Sequence, residues 1–281
     1  MIPAAALLIA MWPAQWPARD FAARLPNRAE NASASRLMAT VSRFGDDLRR
    51  SRPTPEFLEK HGNTIRTLRA QIVSNPPPVW ASSATDVLDP PMPPVSVHRW
   101  LFQIFAADAI AQHRRGSDAA AWADLHAIEI LSRALWERPE AWSIGAAAFG
   151  NRLITTVAAS LSSPPPAWFA EAAAFDVRPP LVRAIEYEAW ALRERADRYP
   201  AGESDGSFFE DTLRDVAAPI LRPLRAVQSS VAIQRLHEVA EAIEKAGPCD
   251  RIKVAAAPEW SAFAQRVLSS RLKNDRVAQC R

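Results

Sequence analysis

Apolar residues recur along this chain at three- and four-residue spacing, and prolines cut the pattern into segments of helical length. That periodicity predicts helices throughout. The longest apolar segment is Ala141–Ser163, which begins just after Pro139 and stops at Pro164–Pro166. Proline suits a first helical turn and cannot continue a helix, so both ends are marked. Arg152 is the only charge between Glu140 and Glu171, and a helix with so little polarity is expected to be buried on every side. The pattern therefore predicts an all-α fold, an irregular antiparallel helical array around a buried central helix at about 141–163.

The neighbouring segments fit that array. Val97–Arg115 carries Trp100, Leu101, Ile104, Phe105 and Ile110 and ends at Gly116; Ser117–Glu137 follows, with Ser117 as the expected cap and Asp118 in its first turn. Connections this short to the central segment predict an up-down-up arrangement of antiparallel neighbours. Upstream, Ala29–Phe44 ends at Gly45, and Thr54-Pro55-Glu56 is a strong start for a helix to about Val73 with the stripe Phe57, Ile65, Leu68 and Ile72. Downstream, the pattern predicts a helical turn at Ala167–Phe175 and helices at Pro179–Tyr199, Ser207–Val227, Ser229–Lys245 and Pro258–Leu272. Ser74–Pro94 is rich in proline and is expected to be an extended strap across the helices, pinned by Trp80 and Leu88.

The first 28 residues stand apart from the domain expected over 29–281. Their apolar run, Ala4–Trp12, is too short for a membrane span and lacks a basic leader. Two readings remain open: an anchor or the tail of one that begins upstream of Met1, or a segment packed on the domain. Trp12 and Trp16 suit a membrane interface and favour association with a membrane through this end.

Composition narrows the function classes. Eight glycines and 24 prolines in 281 residues argue against hairpin-rich architecture and phosphate-cradling loops. The net charge is +3, but 31 acids are mixed among the bases and no basic run forms a phosphate footprint, so no nucleic-acid partner is expected. Cys249 and Cys280 lack metal-ligand spacing; one disulfide or two free thiols are both compatible with them. No nucleophile elbow, P-loop or dinucleotide fingerprint is present, and no cofactor is expected. His237-Glu238-x-x-Glu241 has one imidazole where a zinc helix needs two.

The remaining candidate residues lie around the central helix. Arg152 and Asn151 sit within its apolar sequence, and a buried guanidinium needs an acid or a line of carbonyls. Asp108, Asp124 and Glu186 are the acids expected to reach Arg152. An anion-binding pocket at Arg152 with Asn151, Asp108, Asp124 and His126 is the functional alternative. His126 and Glu129 share a helix face but lack the converging partners of a bundle metal site, and Glu129 has Arg133 four residues on. The leading expectation is a non-enzymatic interaction or scaffold protein of the bacterial cell envelope with an unidentified protein partner. A helical enzyme or small-ligand binder with a pocket near Arg152 is the alternative.

Overall fold

A computed structural model describes residues 28–47, 53–82, 93–198, 228–247 and 250–272. The expected segment 1–27, residues 83–92 of the strap with Leu88, the helix 207–227 and both cysteines lie outside the described residues. The fold is all-α: α1 Ala32–Val41, α2 Pro55–Ser74, α3 Val95–Arg114, α4 Asp118–Trp136, α5 Ala141–Ala158, α6 Ala167–Ala173, α7 Arg178–Arg198, α8 at residues 228–245 and α9 Pro258–Leu268. Buried side chains from Ala34 to Leu272 form one continuous cluster.

The up-down-up trio α3, α4 and α5 is the centre of the array, each packed on the other two. Phe102, Phe105, Leu125, Ile128, Leu131, Ile144 and Ile154 are its fully enclosed side chains. Gly150 lets the three helices approach. A Cβ there would collide with Ser132 Oγ of α4 and sit 3.1 Å from Phe102 of α3 and 3.3 Å from Ile128 of α4. Gly145, one turn and a half earlier, faces only Phe263 of α9, at 3.6 Å from such a Cβ.

Two features of the central helix differ from expectation. It is enclosed by α3, α4, α7 and α9 but is not buried all round. An outward edge runs Trp142, Gly145, Phe149, Arg152, Thr156; Trp142, Arg152 and Thr156 are exposed, and the two between them are half-buried. The helix also stops at Ala158 rather than Ser163. The reason is tertiary: the Asp118 carboxylate accepts hydrogen bonds from the amides of Ser162 and Ser163 at 2.9 and 2.8 Å, and this holds the segment in a non-helical turn. Ser117 occupies the cap position of α4 but makes no side-chain cap bond.

Helix ends elsewhere follow local chemistry. Thr54 caps α2 through the Phe57 amide with Pro55 in the first turn, and Pro258 opens α9 in the same way. Gly45 and Gly116 adopt positive φ, 57° and 76°, where side chains other than glycine are strained. Asn31 caps α1 at the Ala34 amide, accepts from the Val79 amide and donates to Pro77 O, so one side chain ends a helix and ties down the strap. Arg28 and Ser82 exchange backbone hydrogen bonds of 3.1 and 2.9 Å, an antiparallel bridge absent from the sequence reading. Trp80 is buried, as expected of a strap anchor, with its ring edge-on to His98 at 5.1 Å. His98 has no exposure and burial pushes it down to about 4, so it is neutral and Nδ1 donates to Pro94 O.

Gly150→Ala is expected to cost about 1–3 kcal/mol through overpacking, although alanine is the better helix former. Gly145→Ala is expected to be neutral or stabilising. Urea unfolding of the two variants checks the contrast, and equal stabilities would show that the α3–α4–α5 crossing is not tight.

Candidate functional site

Asp108 and Asp124 do converge on a guanidinium, and it is that of Arg69 on α2. Its Nη1 lies 2.8 Å from Asp124 Oδ1 and 3.7 Å from Asp108 Oδ2. Arg152, the expected partner, is exposed on the outward edge of α5 and makes no ion pair among the described residues; its guanidinium lies 5.9 Å from the centre of the Phe149 ring. The expectation of a buried Arg152 is thus corrected. Ile65, Leu68 and Ile72 put α2 against the trio, and Arg69 falls on the same face, so it enters with that stripe. An arginine inside an apolar helical face was the available signal.

Asp124 has no exposure, and its Oδ2 has no hydrogen-bond partner. Burial is the main force on it, the Asp108 carboxylate adds repulsion, and Arg69 opposes both in part; the carboxyl is pushed up to about 8. Gln112 donates to Asp108 at 3.4 Å. At neutral pH the centre therefore holds one proton and balances one carboxylate against one guanidinium. With Asp108 and Asp124 both turned onto it, Arg69 has no unmatched positive charge to offer an anion. Asn151 is buried on α5, and His126 stacks its ring on Trp168 at 4.8 Å, half-buried and pushed down by burial. Neither is shown in contact with the Arg69 centre.

The second buried charge cluster went unrecognised in the sequence. Arg138 and Glu140, each 4% exposed, flank Pro139 at the α4–α5 corner. They pair in two parallel hydrogen bonds, and Ser143 donates to Glu140 at 3.1 Å. Arg138 also donates to the carbonyls of Trp80 and Ala81, so the corner grips the strap. Because arginine and glutamate two residues apart usually look like surface polarity, nothing in the local pattern marks them as interior.

The other chemically capable side chains are engaged in local pairs. His113 Nδ1 meets Asp118 Oδ1 at 2.6 Å, and this contact with the Ser162 and Ser163 amides holds the Asp118 carboxyl below its usual range. Glu129 pairs with Arg133, whose guanidinium lies 3.8 Å from the centre of the Phe175 ring. Glu238 takes a bond from Gln234 and Glu241 pairs with Lys245. Among the described residues, no three histidines, cysteines or acids gather as a metal site.

The outward edge of α5 is the remaining cluster, and its composition is unusual. Trp142 is 74% exposed. Phe263 covers Gly145 one turn on, with Trp260 edge-on to Phe263 at 5.8 Å. Phe149 comes next along the edge, and Arg99 from α3 approaches its ring at 5.3 Å from the side of α3. Among the described residues neither Arg99 nor Arg152 meets a carboxylate, whereas Arg69, Arg133, Arg138 and Arg178 all do. Comparison with protein-family models, curated proteins and solved structures finds no match to this chain.

Two outcomes check the interior centres. Arg138→Ala strands Glu140 and two strap carbonyls, with an expected loss of about 3–5 kcal/mol in urea unfolding; Arg138→Lys recovers only part, because an ammonium cannot bridge both carboxylate oxygens in the same plane. For Asp124, the folded group binds its proton more tightly than the unfolded one. Its contribution is complete below about pH 4 and is lost as pH rises toward about 8. Asp124→Asn, which cannot ionise, should gain stability relative to the parent between pH 5 and 8, by at most about 1.4 kcal/mol per pH unit. Parallel stability curves for the two proteins would show that Asp124 ionises normally.

Proposed function

We propose that the protein is a non-enzymatic interaction or scaffold protein that meets its partner along the outward edge of α5, and that it works at the bacterial cell envelope. The observation that carries the reading is Trp142, an indole left 74% exposed at the first turn of a helix that packs against four neighbours. Tryptophan contributes more than its share of binding energy at protein interfaces because it offers a large rigid area at little entropic cost. The interior acids and bases support the same reading, since Arg69 with Asp108 and Asp124, and Arg138 with Glu140, serve to join helices and strap. The envelope assignment draws on the apolar run Ala4–Trp12 and the tryptophans that follow it. No helix of the described residues is long and apolar enough to cross a membrane.

Fractionation and affinity capture test both parts. The full-length protein is expected in the envelope fraction, where it recovers a protein partner. Trp142→Ala should change stability by less than about 0.5 kcal/mol, the usual range for a surface site, and lose that partner. Recovery of the protein alone from the cytoplasm contradicts the proposal, and so does equal capture by parent and variant.

A further inference from the structure

The outward edge of α5 is specific in chemistry as well as exposed. Trp142 and Phe149 are seven residues apart, about 10 Å along the helix, and point the same way. Phe263 fills the interval over Gly145, so aromatic surface continues from the first turn of α5 to its middle. At the Phe149 end the ring has Arg99 and Arg152 beside it, with no carboxylate of the described residues paired to either. Arg152 is the sole charge on α5, and the exposed charges of α3 are Arg99 and Arg114. At the other end of this edge Glu140 is buried and turned onto Arg138 and Ser143, and Glu188, half-buried, accepts from the Ala141 amide at 3.3 Å. The strip is thus aromatic along its length and positive where it ends.

Its setting selects the kind of partner. α5 packs against α3, α4, α7 and α9, so its exposed edge is a strip bordered by Arg99 of α3 and Phe263 of α9. A bilayer surface is met by a whole apolar helix face that lies on the lipid, whereas a bordered strip accepts a chain laid along it. We propose, building on the interaction reading above, that this strip binds an acidic amphipathic segment of a partner protein. Apolar side chains of the segment cover Trp142, Phe263 and Phe149, and its carboxylates bond the free N–H groups of Arg99 and Arg152. Guanidinium groups held beside an aromatic ring keep their in-plane donors available for carboxylates.

Selection from a library of random displayed peptides on the full-length protein tests this. The expected binders carry Leu, Phe or Trp at helical spacing with flanking Asp or Glu. A labelled binder should lose about tenfold or more in affinity to the Arg99→Glu/Arg152→Glu double variant, and a comparable amount to Trp142→Ala. Its binding should weaken with added salt. The same peptide with Lys in place of its acids should bind the double variant better than the parent. Both arginines are exposed, so circular dichroism of the double variant should match the parent. Selection of neutral or basic binders, or of none, overturns the proposal, as does acidic binding that ignores these substitutions. Arginine-dependent binding of phosphatidylglycerol vesicles without acidic-peptide binding overturns it in favour of a lipid surface. A captured envelope partner that is lost in Trp142→Ala but retained in Arg99→Glu/Arg152→Glu overturns the acidic chemistry and leaves the interaction reading standing.

Discussion

Enclosing α5 is the constraint on which the rest of the molecule depends. The buried sides of this helix carry apolar or very small side chains with Asn151 as the exception, and its interior face includes Ala146, Ala147, Ala148 and Gly150. Small residues bury little area each, so they stabilise only when the neighbouring helices come close. Gly150 permits that approach at the crossing of α3, α4 and α5. Once the trio is set, α4 fixes the position of Asp124 for α2, and the α4–α5 corner fixes Arg138 for the strap. The outer elements are therefore arranged around a crossing that depends on the absence of one methyl group.

The charged groups drawn inward illustrate how such a core accommodates ions. Arg138 and Glu140 are desolvated together and satisfied by each other, by Ser143 and by strap carbonyls, so removing either partner costs more than the pair contributes. The Arg69 centre solves a harder problem, two carboxylates facing one guanidinium, by keeping a proton on Asp124. Both are fasteners between elements distant in sequence. Arg99 and Arg152 at the outer edge of α5 contrast with them in having an aromatic neighbour and, among the described residues, no acid. That difference separates groups that hold the protein together from groups available to something outside it.

Helix type, order and many of the ends were legible in the sequence because they rest on local chemistry: Thr54 with Pro55, Pro258, Gly45 and Gly116 each act within one turn. The first part of the strap, residues 75–82 with the anchor Trp80, was legible for the same reason, since proline-rich sequence cannot form a helix. What depended on tertiary contact was not. Pro164 disfavours helix only at Ser163, and nothing local ends the helix at Ala158; Asp118, more than forty positions away in the chain, takes the Ser162 and Ser163 amides. Asp108 and Asp124 were identified as acids in need of a base, but the choice between Arg152 and Arg69 depends on how α2 is rotated against the trio. The apolar count that made α5 look buried on all sides cannot separate core from an outward edge, because Trp142 and Phe149 have the same hydropathy in either place.

Native-state hydrogen exchange read by mass spectrometry tests the central claim, that the α3–α4–α5 crossing is the most stable unit and the other elements are fastened to it. The account predicts the slowest exchange in the middle of α4 and around Gly150 of α5, at the free energy of global unfolding. α1, α9 and the strap should open earlier, with smaller free energies. Exchange of α5 together with the peripheral helices, ahead of α2 or α7, would contradict it.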